Sequence, residues 1–295
     1  MIATMDSVVF DVWGSRGGRS YGGSRIGTLT SCYSIAAQGD LFVFDGGRGL
    51  ARLAEALFTD VRFSTIKRVH VHITHAHLDH WEGLKDAEWM WRKGNGLALT
   101  LLGPKEALDA IRHGYQPPSY VPLEILALGT LGSLSFVELV ANSTVEVAGA
   151  SLQTVALHHY SGMAPNRRYL DAIGYRLALL GGPALVYLND HEPVAATREL
   201  EDSVLAGSHL AIVDANYCNA AEHAFGHGSI ESAADVARRH PETLMLASHH
   251  GPMFSDTQIE DAHRRHGVGL SNLAIAVEGE SWLWDATVRK FTRRA

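Results

Sequence analysis

The chain has 295 residues, of which 46% are hydrophobic and 19% are charged, an ordinary globular composition that predicts one domain over residues 1–295. Its formal net charge of -7 argues against a protein that coats nucleic acid, and no apolar run approaches the ~20 residues that cross a bilayer. The first residues lack the pattern of a secretory signal, and the two cysteines, Cys32 and Cys218, imply no disulfide framework, so we expect a protein of the reducing cytoplasm without a membrane partner.

Short apolar runs that are rich in β-branched residues recur along the chain and predict strands. These runs lie at 8–13, 41–44, 68–73, 97–102, 152–157, 173–180, 184–188, 210–213, 243–247 and 273–277. Apolar residues at helical spacing predict helices at 49–58, 104–113, 229–239 and 256–266. We also expect a helix within 81–91 and a solvated tail at 289–295. The tally predicts an α/β (α+β) chain with two mostly mixed sheets flanked by helices.

Polar residues that can bind a ligand or carry a proton come directly after several predicted strands. They are Asp45, His75, His159, Asp190, Asp214 and His249. Ligand sites commonly lie in the crevice beyond strand ends, on loops that a rigid scaffold holds. The 17 histidines are an unusual number, and histidine is the commonest metal ligand. We therefore expect a functional site beyond the strand ends.

The segment THAHLDH, residues 74–80, concentrates four ionisable groups after the apolar run VHVHI. His75 and His77 would point to similar sides of an extended chain, while Asp79 and His80 follow on the turn. Two ligand pairs can therefore come from one turn, each aimed at a different ion. Neutral imidazole and carboxylate suit zinc, and also manganese or iron. Because buried ionisable groups at this density need a compensating ion, the segment predicts a metal site.

The pattern His-x-His-x-Asp-His resembles the signature of the metallo-β-lactamase superfamily. The resemblance extends over most of the chain, through four further segments. These are FDGGRGL (44–50), VALHHYSG (155–162), VYLNDHEP (186–193) and LASHHGP (246–252). It implies a four-layer αββα sandwich, which agrees with the predicted strands and helices.

The resemblance also implies a dinuclear metal site. One ion would be held by His75, His77 and His159. A second would be held by Asp79, His80 and His249. Asp190 would bridge the two, and Asp45 would orient the site without binding metal. Zinc is the first expectation, with manganese or iron as alternatives, and two one-residue shifts stay open: His158 for His159, and His250 for His249.

Two segments narrow the branch of the superfamily. LAIVDANY (210–217) and FGHGSIESAADVA (225–237) resemble paired segments of ribonuclease Z and its cyclic-phosphodiesterase relatives. The resemblance implies that Asp214 orients His227, which acts as general acid on the leaving oxygen. Two structural alternatives remain: His227 could only stabilise a helix start, and Asp214 could only form a turn. Histidine rather than glutamate at position 77 argues against the di-iron flavoprotein branch.

Two loops are candidates for substrate contacts. The glycine-rich segment 13–23 offers Arg16 or Arg19 to cradle a phosphate, although it can equally be a flexible turn. The segment 161–175 carries three residues that suit phosphate or base binding, although it can equally be an exposed loop. These residues are Arg167, Arg168 and Tyr169.

Together these features predict a hydrolase that attacks a small phosphodiester, such as a cyclic nucleotide, with a metal-bridging hydroxide. Asp79, His227 and Asp214 are its candidate catalytic residues. Only 31 positions separate His159 from Asp190, and no basic arm occurs there, so tRNA processing is not expected. One alternative is hydrolysis of a carboxylic ester, lactone or thioester, with Tyr160 or Tyr169 as oxyanion donor. Another is a non-hydrolytic metal-dependent sensor or biosynthetic accessory protein. A homodimer is the default oligomer.

Overall fold

A computed structural model of the protein describes residues 8–18, 23–162 and 165–294. The strands in these ranges are β1 (Val9–Gly14), β2 (Cys32–Ala37), β3 (Asp40–Phe44), β4 (Arg68–His72), β5 (Ala98–Gly103), β6 (Ser133–Glu138), β7 (Thr144–Val147), β8 (Ala150–Ala156), β9 (Tyr160–Ser161), β10 (Arg168–Tyr169), β11 (Ile173–Ala178), β12 (Ala184–Leu188), β13 (Leu210–Asp214), β14 (Leu244–Ser248), β15 (Leu273–Ile275), β16 (Ser281–Asp285) and β17 (Lys290–Arg293). The α-helices are α1 (Gly49–Thr59), α2 (Lys105–Gly114), α3 (Leu123–Ala127), α4 (Arg198–Leu205), α5 (Ile230–Arg239) and α6 (Asp256–His266).

The strands form two large mixed sheets and a short two-stranded ribbon. The first sheet has the order β17-β16-β1-β2-β3-β4-β5-β6, and β3 to β6 run parallel. The second has the order β15-β14-β13-β12-β11-β8-β7, and β12 to β15 run parallel. Strands β9 and β10 pair only with each other in the described part of the chain. The prediction of two mixed sheets is confirmed.

Three hydrophobic cores separate four layers. Between the sheets, Phe10 and Phe42 of the first sheet share a core with Tyr175 and Ile212 of the second. Helices α1 and α2 cover the outer face of the first sheet, and their apolar side chains pack with those of β4 and β5. Helices α5 and α6 cover the outer face of the second sheet in the same way. The layers follow as helix, sheet, sheet, helix, and the predicted αββα sandwich is confirmed.

Local sequence explains where these elements form. Strands β3, β12 and β13 are buried at every position because layers cover both of their faces, and such strands read as continuous apolar runs. Helix α5 begins at a capping box in which the Ser229 hydroxyl accepts from the Ser232 backbone amide. Helix α6 begins in the same way at Ser255. These caps satisfy amides that the first helical turn leaves without partners.

Two further predictions are wrong. The segment 81–91 forms short 3-10 helices, Glu82–Asp86 and Glu88–Met90, rather than one α-helix. The Gly83 amide donates to the Gly46 carbonyl at 2.9 Å instead of to the residue four positions earlier, which interrupts α-helical hydrogen bonding. Gly83 also packs so closely on the Gly47 carbonyl that a Cβ atom would lie 2.0 Å from that oxygen. The expected C-terminal tail instead contains β17, which pairs with β16 and buries Phe291 beside Trp284.

The parallel strands direct several loops to one edge of the sandwich. Asp45 follows β3, Asp190 follows β12, and His249 follows β14. All three adopt left-handed backbone conformations, with φ values of 58°, 56° and 59°. Such strain in residues with side chains is typical of functional sites, where the surrounding structure compensates for it. Among the described residues, no helix has the length and apolarity needed to cross a membrane.

Candidate metal centre

The motif predicted to bind metal forms a compact turn at the end of β4. His77 precedes a 3-10 helix, Leu78–His80, which brings His80 back beside His75. The ring centroid of His75 lies 4.6 Å from that of His77 and 4.3 Å from that of His80. His75 and His80 are fully buried. One short segment thus places three imidazoles and the Asp79 carboxylate together at the strand ends.

The long-range candidates join this turn in two groups. His75, His77, His159 and Asp190 each offer one ligand atom, and these atoms all lie within 4.8 Å of one another. The second group has the same spacing and contains Asp79, His80 and His249. The structure therefore brings together all seven residues that the sequence predicted as ligands.

Asp190 lies at the junction of the two groups. Its Oδ2 atom is 3.7 Å from Nε2 of His75 and 3.6 Å from Nε2 of His159, both in the first group. The same oxygen is 3.3 Å from Nε2 of His80, in the second group. Its Oδ1 atom lies 3.1 Å from Nδ1 of His249. A carboxylate in this position can reach an ion in either group.

The geometry separates the residues in each ambiguous histidine pair. His159 lies in the first ligand group, whereas His158 packs against Tyr169 and its Nδ1 atom is 3.6 Å from Glu192. His249 lies in the second group. Its neighbour His250 points elsewhere, with Nδ1 3.2 Å from the Ala215 carbonyl oxygen. His159 and His249 are thus the members of each pair that the fold directs towards Asp190.

Asp45 lies behind the ligand groups and contacts them through hydrogen bonds. Its Oδ1 atom accepts from the Thr74 backbone amide at 2.9 Å. Its Oδ2 atom lies 2.7 Å from Nδ1 of His80 and accepts from the Tyr187 hydroxyl at 2.7 Å. Since Nδ1 of His80 faces Asp45, Nε2 of the same ring is directed to the ligand group. Asp45 therefore fixes the orientation of His80 without itself joining either group.

Several orienting residues carry no signal in the sequence. The Gly226 carbonyl accepts from Nδ1 of His159 at 3.0 Å, and the Ser161 hydroxyl lies 2.7 Å from Nε2 of His77. Gly226 has a φ of +75°, and a Cβ atom there would lie 2.7 Å from the His159 Cα atom. Only glycine suits this position, because the backbone is left-handed and the space is filled. These contacts join segments far apart in the chain, so local patterns do not indicate them.

Burial and charge set the protonation of the candidate ligands. Burial, followed by the neighbouring imidazoles, holds the pKa of His75 and of His249 well below the ordinary value. Burial likewise lowers the pKa of His159 to about 2. His80 is the exception, because the Asp190, Asp45 and Asp79 carboxylates outweigh burial and raise its pKa. The site thus combines neutral imidazoles with carboxylates that favour a positive charge.

These residues fit a divalent metal ion by their donor chemistry. Nε2 of His75, Nε2 of His80 and Oδ1 of Asp190 are buried, and their close neighbours among the described residues lack the angles of a hydrogen bond. Leaving such atoms unpaired is costly, and coordination of a cation would satisfy them. Imidazole nitrogen with carboxylate oxygen is a donor set that suits zinc, and also manganese or iron.

His227 pairs with Asp214, and it also forms a third possible ligand group with Asp190 and His249, whose ligand atoms lie within 4.8 Å of one another. Nδ1 of His227 lies 2.8 Å from Oδ2 of Asp214 and 4.0 Å from Oδ2 of Asp190. Its ring centroid lies 4.8 Å from that of His159. Burial lowers the pKa of His227, but the Asp214 and Asp190 carboxylates outweigh burial and raise it to about 9. The structure thus brings together the two residues that the sequence paired as general acid and orienting carboxylate.

The glycine-rich segment does not supply a free arginine. The Arg16 side chain is buried, and its Nη2 atom lies 2.7 Å from Oδ1 of Asp256. Its Nε atom donates to the Gly27 carbonyl at 2.9 Å. The prediction that Arg16 cradles a phosphate is therefore wrong, because its guanidinium is already paired inside the protein. Arg19, the other candidate, lies outside the described residues.

The three predicted substrate residues lie on or next to the β9–β10 ribbon. Arg168 forms an ion pair with Glu106 of α2. The Arg167 guanidinium carbon lies 4.5 Å from the centre of the Tyr160 ring. Tyr169 is 58% exposed and its ring packs 5.5 Å from that of Tyr160. Arg168 is thus engaged by a carboxylate, whereas Tyr169 keeps an open face.

Comparison with known proteins identifies the family. A family model described as a beta-lactamase superfamily domain matches residues 42–250, a span that includes every candidate metal ligand. The chain belongs to the metallo-β-lactamase superfamily. A search of curated protein sequences returned no match.

Several solved structures share the fold of this chain at low sequence identity. The metallo-beta-lactamase fold protein YhfI from Bacillus subtilis is 15% identical, with a TM-score of 0.66 over 94% of this chain and 99% of that one. A diphosphatase from the PhnP family is 16% identical, with a TM-score of 0.62 over 95% and 98%. Zn(2+)-bound PqqB from Methylobacterium extorquens is 19% identical, with a TM-score of 0.63 over 92% and 99%. At this level of identity, the likeness establishes the fold.

Proposed function

We propose that this member of the metallo-β-lactamase superfamily is a dinuclear metal-dependent phosphodiesterase that acts on a small phosphodiester such as a cyclic nucleotide. In this proposal His75, His77 and His159 hold one ion, and Asp79, His80 and His249 hold the other. Asp190 contributes to both. Zinc is the preferred ion, with manganese or iron as alternatives. When bound, such ions activate water and neutralise negative charge on phosphoryl oxygens.

The pairing of His227 with Asp214 carries the proposal. Hydrolysis of a phosphodiester expels an alkoxide, which needs a proton as it leaves. Nδ1 of His227 is occupied by Asp214, so Nε2 is the ring nitrogen that remains available to a leaving group. The Asp214 carboxylate favours the protonated form of the imidazole against burial, which is the form that a general acid requires. A carboxylic ester with a good leaving group has less need of such an acid.

The charges near the site favour a small substrate. Arg168 is paired with Glu106, and Arg167 lies over the Tyr160 ring. The chain carries a net charge of -7, whereas binding a polynucleotide through its phosphates needs an extended basic surface. The proposed substrate is therefore not tRNA. Tyr169, with its open face, is a candidate contact for a base or another planar group.

A carboxylic ester, lactone or thioester hydrolase is the second candidate. One observation favours it: the Tyr160 hydroxyl is buried and has no hydrogen-bond partner among the described residues. A neutral hydroxyl of this kind can donate to the oxyanion that forms when an ester carbonyl is attacked. In that case His227 would not be needed as a general acid.

A substrate comparison tests the proposal. The metal-free protein is loaded separately with zinc or manganese and assayed with bis(p-nitrophenyl) phosphate, p-nitrophenyl acetate and a lactone. We expect turnover of the phosphodiester, and we expect Asp190→Ala to abolish it. His113→Ala, which changes an exposed histidine that belongs to neither ligand group, is the control and should preserve turnover. Turnover of the acetate or lactone alone would replace the phosphodiesterase proposal with the second candidate.

A further inference from the structure

His191 directly follows Asp190, yet its side chain contacts neither ligand group. It is 6% exposed and lies between the site and helix α4. Its Nε2 atom is 3.0 Å from Oε1 of Glu201 on that helix. Its Nδ1 atom accepts from the His158 backbone amide at 2.9 Å. The side chain thus joins helix α4 to the segment that carries His159.

The contacts of His191 fix its tautomer. A backbone amide can only donate a hydrogen bond, so the Nδ1 atom that faces the His158 amide carries no proton. The single ring proton must then be on Nε2, where it is donated to Glu201. The resulting imidazole is neutral and has both nitrogens satisfied. This assignment follows from donor and acceptor chemistry alone.

The His191 backbone reaches the proposed general acid. Its amide donates to Oδ2 of Asp214 at 3.0 Å, and the same oxygen lies 2.8 Å from Nδ1 of His227. Oδ1 of Asp214 accepts from the Asn216 amide at 2.9 Å. The Asp214 carboxylate is therefore held between two backbone amides, one of which belongs to His191. A shift of His191 would move Asp214, and His227 with it.

Glu201 is itself anchored. It is 5% exposed, and its Oε1 atom also accepts from the Thr197 hydroxyl at 2.5 Å. Its Oε2 atom lies 3.1 Å from Nη2 of Arg239 on helix α5. A buried carboxylate with a charged partner and two further hydrogen bonds has little freedom to move. Helices α4 and α5 thus provide a fixed point for the His191 side chain.

We propose that His191, held as its Nε2-protonated tautomer by Glu201, is a positioning residue that sets the Asp214–His227 pair and the segment of His159 relative to Asp190. The inference deepens the proposed function, and its catalytic part rests on the role of His227 as general acid. The His191 side chain anchors the residue to Glu201 and to the His158 amide, and its backbone amide holds Asp214, so loss of the side chain would misplace the acid without removing it.

Two variants separate the side-chain contacts. In His191→Asn the amide oxygen can replace Nδ1 as acceptor for the His158 amide, but the side chain is too short to reach Glu201. In His191→Gln the amide group can donate to Glu201 in place of Nε2, but the acceptor for His158 is lost. The matched control is His240→Gln, because His240 also bonds a carboxylate of α4, at 2.8 Å from Oδ1 of Asp202, without touching Asp214.

The kinetic test compares two diesters of similar shape. Bis(p-nitrophenyl) phosphate expels p-nitrophenolate, which is a weak base. Diphenyl phosphate expels the more basic phenolate, and its departure depends more strongly on a general acid. We expect both His191 variants to lose about tenfold more kcat/KM with diphenyl phosphate than with bis(p-nitrophenyl) phosphate. The control should lose little with either. Equal losses with both substrates in each variant, or no loss, would overturn the positioning role.

A spectroscopic test does not depend on turnover. In protein labelled with ¹⁵N-histidine, long-range ¹H–¹⁵N spectra should show His191 protonated at Nε2 and unprotonated at Nδ1. The side-chain resonances of His227 should move in both variants and stay in place in the control. A different tautomer, or unmoved His227 resonances, would refute the inference. If the wild-type protein hydrolyses neither diester, the proposed function fails, while these spectra still decide the role of His191. If one variant does not fold, the other still gives the result.

Discussion

The Oδ2 atom of Asp45 lies 2.7 Å from Nδ1 of His80, and the same oxygen accepts from the Tyr187 hydroxyl. One buried carboxylate thus connects the first sheet, the turn at residues 74–80 and the second sheet. Residues that orient a metal ligand in this way commonly affect metal affinity as strongly as some ligands do.

We predict that Asp45→Asn weakens metal binding by about 10- to 100-fold, because an amide cannot hold the Nδ1 proton of His80 as a carboxylate does. Competition with a chromophoric chelator measures this affinity. Tyr187→Phe is the milder companion variant, since it removes one hydrogen bond to Asp45 and keeps the ring. Unchanged affinity in Asp45→Asn would show that His80 does not depend on this contact.

The paired histidines give a prediction about metal content. His159→Ala should reduce the metal bound per protein, whereas His158→Ala should not, because only His159 lies in a ligand group. The same contrast should hold for His249→Ala against His250→Ala. Elemental analysis after dialysis measures the stoichiometry. The opposite result in either pair would assign the ligand to the neighbouring residue.

The contribution of His227 to the rate should depend on the basicity of the leaving group. Removing a general acid typically costs about 10²- to 10⁴-fold in rate, so His227→Ala should lower kcat by that order with diphenyl phosphate and by much less with bis(p-nitrophenyl) phosphate. His223→Ala is the matched control, because His223 lies on the same loop and contacts Ser229 instead of Asp214. A loss that is equal for both substrates would argue against proton donation by His227.

The buried ion pair between Arg16 and Asp256 should stabilise the fold. The Arg16 side chain is 1% exposed and that of Asp256 is 12% exposed, so Asp256→Ala leaves a buried charge without a partner. Breaking such a pair costs about 3–5 kcal/mol of the free energy of unfolding. Chemical denaturation at pH 7 measures this loss, and a loss below 1 kcal/mol would contradict the assignment.

The pH dependence of this pair has a defined sign. Burial raises the pKa of Asp256, but hydrogen bonds from Ser24 and the Arg25 amide, together with the Arg16 charge, outweigh burial and lower it below 3.8. The stabilisation is therefore present above pH 3.8 and is lost as the pH falls through the lowered pKa. The stability difference between the wild type and Asp256→Ala should shrink over that range, and a constant difference would show that the ionised carboxylate is not responsible.

The sequence predicts the ligand residues of the site better than the residues that orient those ligands. The motif at residues 74–80 contains its own turn, so four ligands can be recognised from one segment. By contrast, Asp45, Tyr187 and His80 meet only because the two sheets pack face to face. Hydrogen bonds of this kind leave no periodic pattern along the chain, and the role of Tyr187 could not be inferred without the fold.

The sequence prediction lacks several elements, among them β6, β7, β16, α3 and α4, and tertiary packing determines the shortest of them. Strand β7 and helix α3 have four and five residues, too few to establish a clear period. The segment after His80 has a helical composition, yet the hydrogen bond from the Gly83 amide to the Gly46 carbonyl divides it. The Arg16 prediction fails for a related reason, since its partner Asp256 lies 240 positions away in the chain.

We propose that two divalent ions held by this site enable phosphodiester hydrolysis. The most direct measurement is a titration of the metal-free protein with zinc, repeated with manganese, during continuous assay of bis(p-nitrophenyl) phosphate turnover. We predict that activity rises until two equivalents are bound, and that Asp190→Ala shows no such rise. Maximal activity at one equivalent, or no diester turnover at any metal concentration, would contradict the claim.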